Sequence, residues 1–136
     1  MILLDTSVLS AALRRRKAGP AETQLVSVLQ GLLNTGQKVS VPGLVVQELL
    51  SGVREEAQFQ RMKTILLRGY PIVTASTGDH LLAADITNQC RRRGVSVSAG
   101  DALIAALAIN RRATLFSADR DFNDIAKATT LKLLEQ

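Results

Sequence analysis

Histidine and cysteine are almost missing from this chain, with His80 and Cys90 the only examples in 136 residues. A lone cysteine excludes an internal disulfide framework and any zinc site built from several thiolates. A lone histidine leaves imidazole-based triads and histidine-rich metal sites without material. Tryptophan is absent, and Tyr70 with three phenylalanines brings the aromatic share to only 3%. Stacking platforms that grip single strands by their bases are therefore scarcely available. No apolar run approaches the ~18 residues that a membrane span needs. Charge arrives as early as Asp5, which leaves no room for a signal peptide, so the expected location is the cytoplasm.

What is present describes an ordinary globular protein. Hydrophobic residues make up 46% of the chain and charged ones 21%, far from compositions that stay disordered. The length suits one domain, expected to span residues 1–136, and such a domain buries about two-thirds of its unfolded surface. Seventeen Lys and Arg against twelve Asp and Glu leave a net charge of +5, a balance that favours polyanionic partners. Much of the excess sits in Arg14-Arg15-Arg16-Lys17, Arg91-Arg92-Arg93 and Arg111-Arg112, and clusters of that kind also serve as solvated helix ends.

Strand and helix signals alternate from end to end. Met1–Leu4 reads as a buried strand stopped by Asp5-Thr6-Ser7, where a first helix starts and runs to the basic cluster before Gly19-Pro20. Leu25, Val28, Leu29, Leu32 and Leu33 mark an amphipathic helix over 21–34. Lys38–Val41 is a second strand, and Pro42 fits the first turn of a helix carrying Glu48. A helix over 55–67, a strand over 71–74 and a long helix from Thr77 to the arginine triplet follow. Ser98-Ala99-Gly100-Asp101 has the form of a capping box and opens Ala102–Ile109, a stretch without a polar face that is expected to be buried. Thr114–Ser117 and Leu131–Leu134 complete the strands, with a short helix between them. This alternation implies a parallel sheet covered by helices.

Ligands in open α/β sheets gather beyond the carboxyl ends of the strands, and four acids fall there: Asp5, Glu48, Asp101 and Asp119. Two unit charges ~4 Å apart cost about 4 kcal/mol even at an effective dielectric of 20, so such a group must protonate or bind cations. An all-oxygen cluster suits Mg²⁺ or Mn²⁺, and the chemistry this serves best is phosphodiester hydrolysis by an activated water. Each acid also has a plainer explanation. Asp5 can cap the first helix, Asp101 can be the reciprocal partner of Ser98, and Asp119, Asp121 and Asp124 can be turn residues. Glu48 shares a helical face with Leu44 and Val45 and wants a partner. Thr6, Ser7 and Ser117 are placed to hold the acids by hydrogen bonds. His80 and Cys90 read as surface or core residues, and Asp79 and Asp85 are expected to face solvent.

Ile2-Leu3-Leu4-Asp5-Thr6-Ser7-Val8-Leu9 resembles the opening of PIN-domain ribonucleases. Val41-Pro42 through Gln47-Glu48-Leu49 and Gly52, then Gly100-Asp101-Ala102-Leu103-Ile104-Ala105-Ala106, then Ser117-Ala118-Asp119-Arg120-Asp121-Phe122, resemble the family's later acidic segments in order. The short chain is most similar to the VapC-type toxins of toxin–antitoxin pairs. The resemblance implies a three-layer α/β/α fold with a central parallel sheet of four to five short strands. It also implies an Mg²⁺- or Mn²⁺-dependent endoribonuclease, a homodimer, and a VapB-like antitoxin whose tail occupies the active-site groove. Carried over by position, Asp5, Asp101 and Asp119 ligate the metal, and Glu48 ligates it or orients the attacking water. Asp121 competes with Asp119 for the fourth place, with Asp119 preferred. Arg14–Arg16 and Arg111 or Arg112 are candidates for contacts to RNA phosphates.

Two other readings compete. Aspartyl phosphatases and response-regulator receivers also place an Asp after a first parallel strand. A phosphatase would show Asp-x-Asp where position 7 is Ser, and the receiver's acidic pair is missing. The non-enzymatic alternative is a catalytically silent PIN-like module that binds RNA or a partner, against which stands the presence of all four acids.

Overall fold

Five strands form one parallel sheet in the computed structural model, which describes residues 1–13 and 19–136. At its centre lies β1 (Ile2–Leu4), flanked on one side by β2 (Val39–Pro42) and then β3 (Ile72–Val73), and on the other by β4 (Thr114–Phe116) and then β5 (Lys132–Leu133). Leu3 pairs with Ser40 of β2 and with Leu115 of β4. Burial on both faces explains why β1 is wholly apolar, since neither side of the strand meets water.

Parallel neighbours cannot be joined by hairpins, so helices carry the chain back each time. Four of them, α1 (Thr6–Leu13), α2 (Pro20–Asn34), α3 (Gly43–Leu50) and α4 (Glu56–Gly69), lie between β1 and β3 in sequence and pack on one another. The others, α5 (Thr77–Arg92), α6 (Ala99–Asn110) and α7 (Asp121–Ala128), form a second packed group. The chain moves outward from β1 to β3, then returns past the centre to β4 and β5. Right-handed crossovers in opposite directions send the two helix groups to opposite faces, which makes the sheet the middle layer. No helix of the described residues is long and apolar enough to cross a membrane.

The centre of the second group is α6. Ala102 and every residue from Ile104 to Ala108 are buried, as the missing polar face requires. Its alanines keep the helix surface low, so α5 can pack closely along it. The helix starts at Ala99, earlier than the apolar stretch itself, because Ser98 caps it by accepting the Asp101 amide at 3.1 Å. At the other junction Pro42 is the last residue of β2, paired with Val73, and α3 begins after it at Gly43. A φ of −63° suits both positions, and the strand pairing decides.

Asp79 overturns an expectation. It does not face solvent: only 1% of it is exposed, although Asp85 on the same helix is at the surface. Its Oδ2 accepts the Ser76 amide at 2.8 Å while Ser76 Oγ accepts the Asp79 amide at 3.2 Å, a full capping box at the start of α5. The Arg111 guanidinium then grips both carboxylate oxygens at 3.0 Å, and Asn110 Nδ2 adds a bond to Oδ1 at 2.8 Å. Arg111 chiefly holds the Asp79 carboxyl far below the usual carboxylate range. A bidentate pair of this kind pins the start of α5 to the end of α6. Sequence periodicity misses it because the partners lie 32 residues apart.

Candidate active site

The strand order reverses direction between β1 and β4, so the segments leaving their carboxyl ends diverge and open a crevice. Asp5 follows β1 directly and extends its ladder, donating its amide to the Phe116 carbonyl at 3.0 Å. Its carboxylate is buried, and Oδ2 accepts hydroxyl bonds from Ser117 at 2.7 Å and Ser7 at 2.9 Å. Those hydroxyls serve twice. Ser7 Oγ accepts the Ala118 amide and Ser117 Oγ accepts the Asp119 amide, both at 2.9 Å. The turn after β1 is thereby fastened to the turn after β4, and among the described residues the other oxygen of Asp5 accepts no hydrogen bond.

Asp101 stands in the first turn of α6. Its capping is one-sided: the Asp101 amide donates to Ser98 Oγ, but among the described residues the Ser98 amide does not donate to the Asp101 carboxylate. The side chain is therefore not the reciprocal cap that its sequence position allows. Asp101, Asp119 and Asp121 each bring a carboxylate oxygen within 4.8 Å of the others. Burial raises the Asp101 carboxyl most, and the nearby charges of Asp119, Asp5 and Asp121 add to this against an opposing Ser98 hydrogen bond, pushing it to about 6. Asp119 Oδ1 also accepts the Asp121 amide at 2.9 Å, which sets the turn that presents both.

Glu48 projects from α3 into solvent while its neighbours Val45 and Leu49 point into the core. The partner its position calls for is Thr6, whose hydroxyl donates to Oε1 at 3.0 Å. The four acids read from the sequence thus do not close as one tight set. Asp101 and Asp119 share theirs with Asp121, Asp5 lies near enough for its charge to act on Asp101, and Glu48 is tied to the residue after Asp5. Asp121, read as a supporting residue, stands level with Asp119. Gln136, to which the sequence assigns no role, donates from its side-chain amide to the Ser117 carbonyl at 2.6 Å. A terminal glutamine carries no signal that predicts this contact.

The arginines are distributed otherwise than expected. Arg111 is unavailable to phosphate because Asp79 and the carbonyls of Leu107 and Thr74 occupy its guanidinium. It also sits ten residues along α6 from Asp101, roughly 15 Å at the rise of a helix, and Arg112 follows it at that far end. Arg14–Arg16 lie outside the described residues. His80 is exposed and Cys90 is buried on α5, with its thiol pushed up chiefly by burial.

Three carboxylates that approach so closely, without an Arg or Lys bridging them among the described residues, make a donor set for a hard divalent cation. Comparison with known proteins agrees with the fold. The PIN domain family matches residues 2–128. The VapC ribonuclease Mb1587 of Mycobacterium bovis is 32% identical over 134 residues, covering 97% of this chain and 96% of the relative. Among solved structures, FitAcB from Neisseria gonorrhoeae superposes with a TM-score of 0.79 at 21% identity, covering 99% of this chain and 97% of that one. VapBC2 from Rickettsia felis, bound to a DNA fragment from their promoter, gives 0.77 at 21% identity and covers 98% of both chains. The strands, the acidic crevice and a match running almost from end to end show that this chain belongs to the PIN-domain family, alongside the VapC ribonucleases.

Proposed function

We propose that this protein is a VapC-type endoribonuclease, hydrolysing RNA phosphodiester bonds at the crevice between β1 and β4. The observation that carries the reading is the meeting of Asp101, Asp119 and Asp121 beside Asp5. Asp5, Asp101 and Asp119, with Asp121 as an equal candidate to Asp119, would hold a Mg²⁺ or Mn²⁺ ion. Such an ion supplies charge neutralisation for the phosphate and acidifies water.

The chain's own groups do the rest. Ser7 and Ser117 fix the Asp5 carboxylate in one orientation, which leaves its free oxygen directed by hydrogen bonds already made. Thr6 steadies Glu48, whose carboxylate is suited to accept a proton from the attacking water. The raised Asp101 carboxyl gives up its proton when positive charge arrives, so ligand binding and deprotonation are coupled there.

In this reading the protein is a cytoplasmic, single-domain toxin that forms a homodimer. It is held silent by a VapB-like antitoxin whose tail lies in the same groove. The silent-module alternative predicts no hydrolysis. Cleavage of defined RNAs is measured with Mg²⁺, with chelator, and with Asp5→Asn. Cutting is expected in the first case alone, and equal cutting in all three would remove the mechanism.

A further inference from the structure

Next to the acidic crevice lies a cavity of about 360 Å³, within the roughly 300–1,000 Å³ range of clefts that seat small organic groups. Ser117 and Asp119 belong to its wall, so it opens from the crevice itself. Leu134 and the almost wholly buried Leu25 and Phe122 belong to its apolar lining, and its polar lining includes the side-chain amides of Gln24 on α2, Asn123 on α7 and Gln136. Neither the Gln24 nor the Asn123 amide has a hydrogen-bond partner among the described residues, and Arg120 stands at the same wall. Both of these amide residues are exposed, so their hydrogen-bonding groups are open to a ligand.

We infer that this cavity seats the base of the nucleotide next to the scissile phosphate and that Gln24 and Asn123 read that base. The inference rests on the ribonuclease reading and adds to it the source of sequence preference. An apolar lining accepts the face of a base, and a carboxamide offers one donor and one acceptor side by side, the pattern that matches a base edge. With so few aromatic residues in the chain, recognition by stacking on several rings is unavailable, which leaves more of the recognition to hydrogen bonds. Arg120 supplies positive charge for the adjoining phosphate.

The test separates binding from cutting. A pool of short RNAs with randomised sequence is passed over the Asp101→Asn protein, and the retained RNAs are sequenced. The same is done with Asp101→Asn carrying Gln24→Ala and Asn123→Ala. Expected is enrichment of one base at one position by about tenfold, the discrimination of one good amide–base pair, and loss of that enrichment in the pocket variant while total RNA retention stays within about threefold. No retention, no enrichment, or the same enrichment in both proteins overturns the inference, and the last result would place base reading outside this cavity. Cutting by the wild-type protein is scored separately. Cleavage without base enrichment defeats the subsite alone, whereas enrichment without cleavage defeats the ribonuclease reading and with it the place beside a scissile phosphate, leaving only base recognition by the cavity.

Discussion

Ser117 Oγ donates to Asp5 Oδ2 at 2.7 Å, a bond between residues 112 positions apart that fastens the ends of the two central strands together. Because the same oxygen accepts the Asp119 amide, one hydroxyl sets the position of two acids.

Ser117→Ala is therefore expected to weaken metal affinity or cleavage by about 10- to 100-fold, the usual effect of removing a group that orients a ligand. A titration of RNA cleavage against Mg²⁺ should move to higher concentrations, with part of the loss recovered at saturating ion. An unchanged titration would show that Asp5 is held well enough by Ser7.

Asp101→Asn should abolish cutting and yet stabilise the ion-free protein. The Asp101 carboxyl is raised to about 6, so in chelator its protonated form favours the fold. Its contribution is whole below the unfolded value near 4 and is lost as pH rises through about 6. After discounting for partial exposure, the gain from the amide at neutral pH is on the order of 1 kcal/mol. Thermal melting in chelator should show a higher midpoint for the variant. Adding Mg²⁺ should raise the wild-type midpoint more than that of the variant.

The Asp79–Arg111 pair makes the opposite kind of prediction. Removing Arg111 leaves the Asp79 carboxylate buried and uncompensated and should cost about 3–5 kcal/mol in denaturant unfolding, whereas removing Asp79 leaves a partly exposed guanidinium that water can reach and should cost less. Cleavage per folded molecule should change little, since the pair lies at the far end of α6. The Asp79 carboxyl is depressed, so its contribution is present above about pH 4 and disappears as pH falls below that. If Arg111→Ala impaired RNA binding while leaving stability intact, the structural role would be wrong.

Thr6→Val removes the hydroxyl that holds Glu48 while preserving shape. A loss of about tenfold in cleavage rate at saturating RNA is expected, with little change in melting temperature, because the bond is exposed to solvent. Glu48→Gln should lose more, and combining the two should add little to Glu48→Gln alone.

The fold was legible because its signals are local. An apolar strand such as Ile2–Leu4, the periodic leucines of α2 and the apolar run of α6 each state their environment within a few residues. Boundaries moved by one to three residues, at Ser98 and Pro42 because a cap or a pairing decided them. Asp79 was misread because nothing within one helix reveals a guanidinium arriving from another.

The sequence by itself determined the alternation of strand and helix, the parallel sheet and the candidate acids, since hydrophobic period and turn chemistry act over short stretches of chain. Only the tertiary structure decided which oxygens meet. Whether Asp121 or Glu48 joins Asp101 and Asp119, which arginine is tied up in an ion pair, and where a terminal glutamine comes to rest depend on strand order and crossover direction, and these bring together groups that no local pattern relates.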